Sequence, residues 1–393
     1  MDLNKYINKH GTGYIIKKGI IKDNELLIDT VVSGKAQLLP NSVNLTENHI
    51  FDIASLTKFF TSIITHKTIE RGLLNLNDII YDIDNRFINL RDVTILDLIS
   101  HRIELWTDGY LGKASSKEEF YNMLFNSKVK SRVRTYVDSH YMILSILLEK
   151  IYDLPYAEIL DNEIVKALNL KNTSFTVKDK SMAVSNNYEL VNGKIIDNVY
   201  PGTAHDPKAR TASSFGIQVG HAGIFTTSDD LMEVLISFID NKEKLLKSES
   251  IKRMLMHDDI DTEIKQILYN FAQSKDITIP DLNLNLNELF LHLAKNYNDK
   301  EELALMIPKT YNYSGTRYLN PISKRNDIPL KASPKTIVFS GYTGPIFLID
   351  FEKNIIILIM TNVCHNSKLN RTERYDMSVK LINEIYNDIV TTN

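Results

Sequence analysis

Cysteine is nearly absent from this sequence. Cys364 stands alone among 393 residues, so no intramolecular disulfide can staple the fold. It follows the apolar run Ile355–Met360, where a small buried residue is expected rather than a reactive thiol. Tryptophan is as scarce, with Trp106 the only one, and the tyrosines lack the spacing of a base-stacking platform. An excess of one charge is missing too: 46 Lys and Arg face 49 Asp and Glu, a net charge of −3 that leaves no footprint for nucleic acid. The cluster Lys128, Lys130, Arg132 and Arg134 is too short to change that and reads as a solvated loop. Long hydrophobic runs do not occur. No stretch approaches the ~20 apolar residues of a membrane span. The start, Met1-Asp2-Leu3-Asn4-Lys5-Tyr6, has neither an apolar core nor a small-residue cleavage site. A cytoplasmic protein acting on soluble metabolites is expected, or an extracytoplasmic one if an export segment is missing. The ten histidines form no H-E-x-x-H or H-x-H pair, and no phosphate-cradling or Rossmann glycine pattern occurs, so neither metal nor cofactor is expected.

What is present is an ordinary globular composition, 43% hydrophobic and 24% charged, in a chain long enough for two closely packed lobes. Tyr14–Lys17 and Leu26–Val32 predict an N-terminal β-hairpin around Gly19 and Asn24. From Leu56, the residues Phe59, Phe60, Ile63 and Ile64 recur at helical spacing, and Gly72 offers a left-handed cap. Ser139–Ile151 is apolar nearly all round, the pattern of a buried helix. Ile346–Ile349 and Ile355–Thr361 predict a second hairpin, followed by an amphipathic helix with Leu381, Ile382, Ile385, Tyr386 and Ile389. Strands at both ends with helices between them imply an α/β (α+β) fold: an antiparallel sheet built from both chain ends, with a helical lobe inserted. The division expected is residues 1–80 and 310–393 for the sheet domain and 81–242 for a mainly helical lobe. Residues 243–309 are expected to form a helical, lid-like insertion.

The chemistry concentrates in Phe51-Asp52-Ile53-Ala54-Ser55-Leu56-Thr57-Lys58. A hydroxyl and an amine three positions apart share one helical face. At a helix start, the backbone dipole favours an alkoxide-like serine, and the lysine can accept or relay its proton. Tyr136, ahead of the buried helix, is a candidate acid or base, and Asp138 a candidate partner of Lys58 or a helix cap. Phe339-Ser340-Gly341-Tyr342-Thr343-Gly344 places small residues where backbone N–H groups can meet a carbonyl. Those of Ser55 and Tyr342 are the candidate oxyanion donors. His101 and His221 read as loop braces. His205-Asp206 lacks the G-x-S-x-G elbow that would make it part of a triad.

In this order the motifs resemble the serine β-lactamase and penicillin-binding-protein-like family, in particular its class C β-lactamase, D-alanyl-D-amino-acid peptidase and esterase-like branch. Phe51–Lys58 resembles the nucleophile motif, with Arg71-Gly72 after its helix. Leu98-Ile99-Ser100-His101 resembles the Leu-Leu-Thr-His segment, and Tyr136-Val137-Asp138 falls at the Tyr-x-Asn motif. His205-Asp206-Pro207 and Gly220–Phe225 resemble a paired segment of esterase-like members. Phe339–Gly344, with Ile349-Asp350 and Thr361-Asn362, resembles the terminal His-Thr-Gly-x-Thr-Gly strand and its neighbours. The resemblance implies a β-lactamase/transpeptidase-like sandwich with its active site between sheet and helical lobe. It also implies an acyl-enzyme on Ser55, with Lys58 and Tyr136 moving the proton, and no cofactor.

Four departures bear on the substrate. Asp138 replaces Asn and is expected to hold Lys58 protonated. Phe339 replaces the Lys or His that helps bind a substrate carboxylate, Ser340 replaces Thr, and Arg102-Ile103-Glu104 follows His101 in place of Thr-Ser-Gly. By resemblance, Phe339, Ser340, Gly341, Tyr342 and Asp138 are the expected substrate-binding positions. Losing the cation removes a contact worth roughly 1.5–3 kcal/mol. The expected activity is that of an esterase or D-amino-acid esterase or amidase on a small ester, amide or peptide. A D-alanyl-D-alanine carboxypeptidase or weak β-lactamase is the first alternative, and a binding or sensing protein with impaired catalysis the second.

Overall fold

The computed structural model describes residues 2–23, 25–39, 41–191, 194–240, 242–299, 302–303, 311–318, 328–329, 331–365 and 369–392. Its centre is an antiparallel sheet of seven strands: β1 (Gly13–Lys22), β2 (Glu25–Gln37), β3 (Val43–Asn44), β4 (Arg317–Tyr318), β5 (Thr336–Ser340), β6 (Ile346–Asp350) and β7 (Ile355–Thr361), in the order β4-β5-β6-β7-β1-β2-β3. The two chain ends meet at the middle of the sheet, where β1 pairs with β7 from Tyr14↔Thr361 to Ile20↔Ile355. The N-terminal hairpin is longer than its apolar runs predict. Gly19 lies within β1 rather than in the turn, paired with Ile28 of β2 and Ile356 of β7, and a side chain there would meet the Met232 methyl.

Period-2 alternation sends the two sets of strand side chains to opposite cores. Ile337, Phe339, Phe347, Ile349, Ile356, Leu358 and Met360 face the helical lobe, where they pack on α1 (Thr57–Glu70). Val338, Ile346, Leu348, Ile355, Ile357 and Ile359 face the terminal helix, which runs Arg371–Thr392 and presents Leu381, Ile382, Ile385, Tyr386 and Ile389 as its spacing predicts. Because both faces are covered, Ile355–Met360 reads as one unbroken apolar run. The Phe59 ring seats α1 on the sheet, with its centroid 4.8 Å from Phe347 and 5.1 Å from Phe238.

The helical lobe has its own core around α2 (Asp138–Tyr152), the buried helix read from the sequence. Two further helices, α3 (Pro207–Ser214) and α4 (Ser228–Ile236), return the chain toward the sheet. Within residues 243–299 lie α5 (Ser248–Leu255), α6 (Asp261–Ser274) and α7 (Leu286–Asn296). The last two close a small separate core of Ile264, Leu268, Phe271, Leu289 and Leu293. Residues 304–309 of the expected insertion lie outside the described residues. Cys364 is buried and unbridged.

Candidate active site

Ser55 is the only residue of 51–66 that is not buried. It sits in a single 3₁₀ turn, Ala54–Leu56, that runs straight into α1. The apolar spacing predicts a serine in the first turn of the helix; it stands two residues before α1 begins, where Ala54 takes φ +45°, a left-handed conformation that breaks helical continuity. The Asp52 carboxylate holds this bend. Its Oδ1 accepts the Ala54 N–H at 2.8 Å and its Oδ2 accepts the His205 N–H at 2.7 Å. Burial pushes the Asp52 carboxyl up to about 6, with the two N–H donors and Arg210 working against it. A short bridge pairing Phe51–Asp52 with Phe225–Thr226 fixes the strand that leads into the turn.

One helical turn on, the Lys58 ammonium is completely buried. It donates to Ser55 Oγ at 3.2 Å, Asp138 Oδ1 at 2.8 Å and the His221 carbonyl at 3.1 Å. Burial alone would strip the proton, but the Asp138 carboxylate and the Tyr136 hydroxyl outweigh it and raise Lys58 above the ordinary lysine value. Asp138 makes no cap. It is the first residue of α2, where the helix dipole favours a carboxylate. Its second oxygen takes the Lys208 ammonium at 2.8 Å. Despite burial, the Lys58, His221 and Lys208 charges hold Asp138 well below the usual carboxylate range. Lys208 also reaches Asp206 at 3.4 Å, and His221 Nε2 meets Asp206 Oδ1 at 2.9 Å.

Tyr136 stands at the mouth, half-exposed, its ring centroid 4.8 Å from Lys58 Nζ. Its back rests on the His101 ring, 4.6 Å away, which in turn touches Tyr311 at 4.8 Å. His101 braces the loop as expected: its carbonyl accepts the Thr135 N–H and its Nδ1 lies 3.0 Å from His140 Nδ1. That distance requires one ring to donate and the other to accept. Burial pushes both imidazoles down, His140 to about 3.

The sheet supplies the opposite wall. Gly341 crosses Ile53 so closely that a Cβ would overlap the Ile53 carbonyl, and Thr343 Oγ1 donates to the Asp52 carbonyl at 2.7 Å. Tyr342 follows, half-exposed, its ring 5.4 Å from His205 and its hydroxyl accepting from Arg374 at 3.2 Å. Phe339 departs from its expected role as a ligand contact. Strand alternation turns its ring into the main core, leaving 3% exposed. Ser340 points elsewhere, and its Oγ accepts from Arg317 Nη2 of the neighbouring strand at 3.0 Å. The structure therefore brings Ser55, Lys58, Tyr136 and Asp138 together and sets Gly341 against Ile53, beside the turn that carries Ser55. Sequence reasoning missed Lys208, Arg317 and Asp52, the last although it lies within the nucleophile motif itself. Asp138, Asp206 and His221 would also suit a cation, but Lys58 and Lys208 already satisfy these carboxylates.

A family model described as Beta-lactamase matches residues 19–379 of this architecture. The chain belongs to the beta-lactamase family. Solved relatives share the fold at low identity. EstCE1, "a hydrolase with promiscuous acyltransferase activity", superposes with a TM-score of 0.67 at 14% identity over 96% of this chain and 95% of its own. The penicillin-binding protein homologue of Pyrococcus abyssi gives 0.63 at 19% identity over 96% and 75%. The D-amino acid amidase of Ochrobactrum anthropi gives 0.64 at 13% over 97% and 94%. Among curated proteins, the "Putative D-alanyl-D-alanine carboxypeptidase" of Salmonella gallinarum is 25% identical over 258 residues, 56% of this chain and 59% of its own. The chain thus spans about three-fifths of the length of the curated relatives it matches. This beta-lactamase-family chain shares its fold with a hydrolase, a D-amino acid amidase and a penicillin-binding protein homologue. Among its described residues, no helix is long and apolar enough to cross a membrane.

Proposed function

We propose that the protein is a serine hydrolase that forms an acyl-enzyme on Ser55 with a small ester, or with a D-amino-acid ester or amide. The observation that carries this reading is the contact of Lys58 Nζ with Ser55 Oγ, in a segment, residues 51–66, where the serine alone is not buried. Lys58 acts as a fixed ammonium: its hydrogen bond stabilises charge growing on Ser55 Oγ, and Asp138 keeps the proton on the amine. The serine proton then has to leave through Tyr136. As Ser55 Oγ bonds to the carbonyl carbon, its proton passes to the Tyr136 hydroxyl while that hydroxyl's own proton passes to the leaving oxygen or nitrogen. The bond to the leaving group breaks, and water reverses the sequence to free the acid. The Ser55 and Tyr342 backbone N–H groups are the donors assigned to the oxyanion.

Intact mass after exposure to a fluorophosphonate, a fluorescent penicillin and an activated ester tests this reading, with Ser55→Ala beside the wild type. Phosphonate labelling and ester turnover that both vanish in Ser55→Ala are expected. No Ser55-dependent adduct or turnover in any arm would make the protein a binding or sensing relative with impaired catalysis.

A specific observation favours a second reading, a D-alanyl-D-alanine carboxypeptidase or weak β-lactamase. Arg317 sets a guanidinium against Ser340 Oγ, one residue along β5 from Phe339, the position where the family carries its Lys or His. Stable penicillin adducts, weakened in Arg317→Ala, would support that reading.

A further inference from the structure

Two carboxylates and an imidazole converge behind Lys58. The ligand atoms of Asp138, Asp206 and His221 all lie within 4.8 Å of one another. Carboxylates that close repel, and one takes up a proton unless a cation separates them. Lys208 provides the cation. Its Nζ lies 2.8 Å from Asp138 Oδ2 and 3.4 Å from Asp206 Oδ2, and its side chain is 19% exposed. Tyr110 lies beside it, with the ring centroid 6.0 Å from the ammonium. The result is a line of alternating charge leading away from the serine, Lys58, Asp138, Lys208 and Asp206, with the His221 imidazole hydrogen-bonded at its far end.

We propose that Lys208 is a positioning residue that acts through Asp138. It is a resident ammonium that keeps Asp138 and Asp206 ionised side by side, and so holds Lys58 charged and aimed at Ser55. This rests on the reading of Ser55 as the nucleophile. The other charged or titratable groups facing Asp138 do not bridge the two carboxylates as Lys208 does. Lys58 from α1 is committed to Ser55 and the near oxygen, and His221 is committed to Asp206. His140 on α2 and His101 beyond it are buried and bonded to each other. Tyr136 faces Lys58. Without Lys208, the two carboxylates face each other with only Lys58 and His221 beside them, and we expect one of them to bind a proton. If Asp138 does so, the buried Lys58 loses its counter-ion and drifts toward the neutral amine, a weaker donor to the developing alkoxide.

The Lys208→Met variant is expected to lower kcat/KM for an activated ester ten- to a hundredfold, and to move the acid limb of the pH profile toward neutrality. Lys208→Arg should restore most of the loss. So should Asp206→Asn placed on Lys208→Met, because it removes the repulsion while an amide oxygen still caps α3. A second readout needs no turnover: infrared spectra of Ser55→Ala with and without Lys208→Met. A protonated-carboxyl band near neutral pH, appearing only in the double variant, is expected. Lys208→Met activity within twofold of wild type at every pH would overturn the proposal. So would a loss that neither Asp206→Asn nor Lys208→Arg relieves, with no carboxyl band. If the wild type shows no Ser55-dependent turnover, the nucleophile reading fails, and the carboxyl band still decides the role of Lys208.

Discussion

A non-glycine residue at φ +45° costs about 1–2 kcal/mol, and Ala54 bears that strain one position before the nucleophile. Asp52 holds it in place with two charge-assisted acceptor contacts, so the Asp52→Asn variant should perturb both the 53–56 turn and the His205 segment. The two states also differ in proton affinity. The folded carboxyl titrates at about 6, above its unfolded value near 3.9, so its contribution favours the folded state below about pH 4 and is lost as pH rises through 6. Denaturant unfolding should show wild type losing about 2 kcal/mol relative to Asp52→Asn between pH 4 and pH 7. At this scale the Ser55–Lys58 pair was legible, because an i, i+3 pair on a helix is fixed by local geometry alone. Lys208 was not, since it lies 2.8 Å from Asp138 in space yet 70 positions away in the chain.

The elements were read mostly from periodicity, and they fail where a single residue breaks the period. Ala54 replaces the helical first turn with a 3₁₀ turn, and Asp138 begins α2 rather than capping it. In the Phe339–Gly344 motif the sequence reads the glycines as leaving N–H groups open to a carbonyl, and the structure adds that Gly341 passes against Ile53. Phe339, a substrate-binding position by resemblance, is turned inward by the strand alternation of β5. Gly341→Ala tests the approach. The added methyl meets the Ile53 carbonyl, part of the backbone, and nothing flexible can yield. We expect a loss of about 1–3 kcal/mol in stability. Ester turnover should fall at least tenfold, because the displaced wall carries Tyr342; thermal unfolding and initial rates check the two effects.

Across the whole molecule, residues 243–299 are tied to the catalytic elements through Asp258. It accepts from Arg102, beside His101, from Arg134 at 2.7 Å, two residues before Tyr136, and from Tyr313 at 2.9 Å. Glu263 adds a second contact to Arg134, while Ser250 bonds Glu70 at the end of α1. Asp258→Ala leaves two partly buried guanidiniums short of a carboxylate and should cost about 2 kcal/mol. Hydrogen exchange should rise in α5–α7 and around Thr135–Val137 together, whereas a freely attached insertion would change alone.

The sequence by itself determined the strand runs, the helices, the nucleophile pair and the family, since each rests on a local period or a fixed short spacing. The tertiary structure decided what surrounds the pair. Lys58, Asp138, Lys208 and Arg317 come from four separate segments, and no local rule relates them. Their protonation and contacts arise only when folding removes water and sets opposite charges within 3 Å of one another.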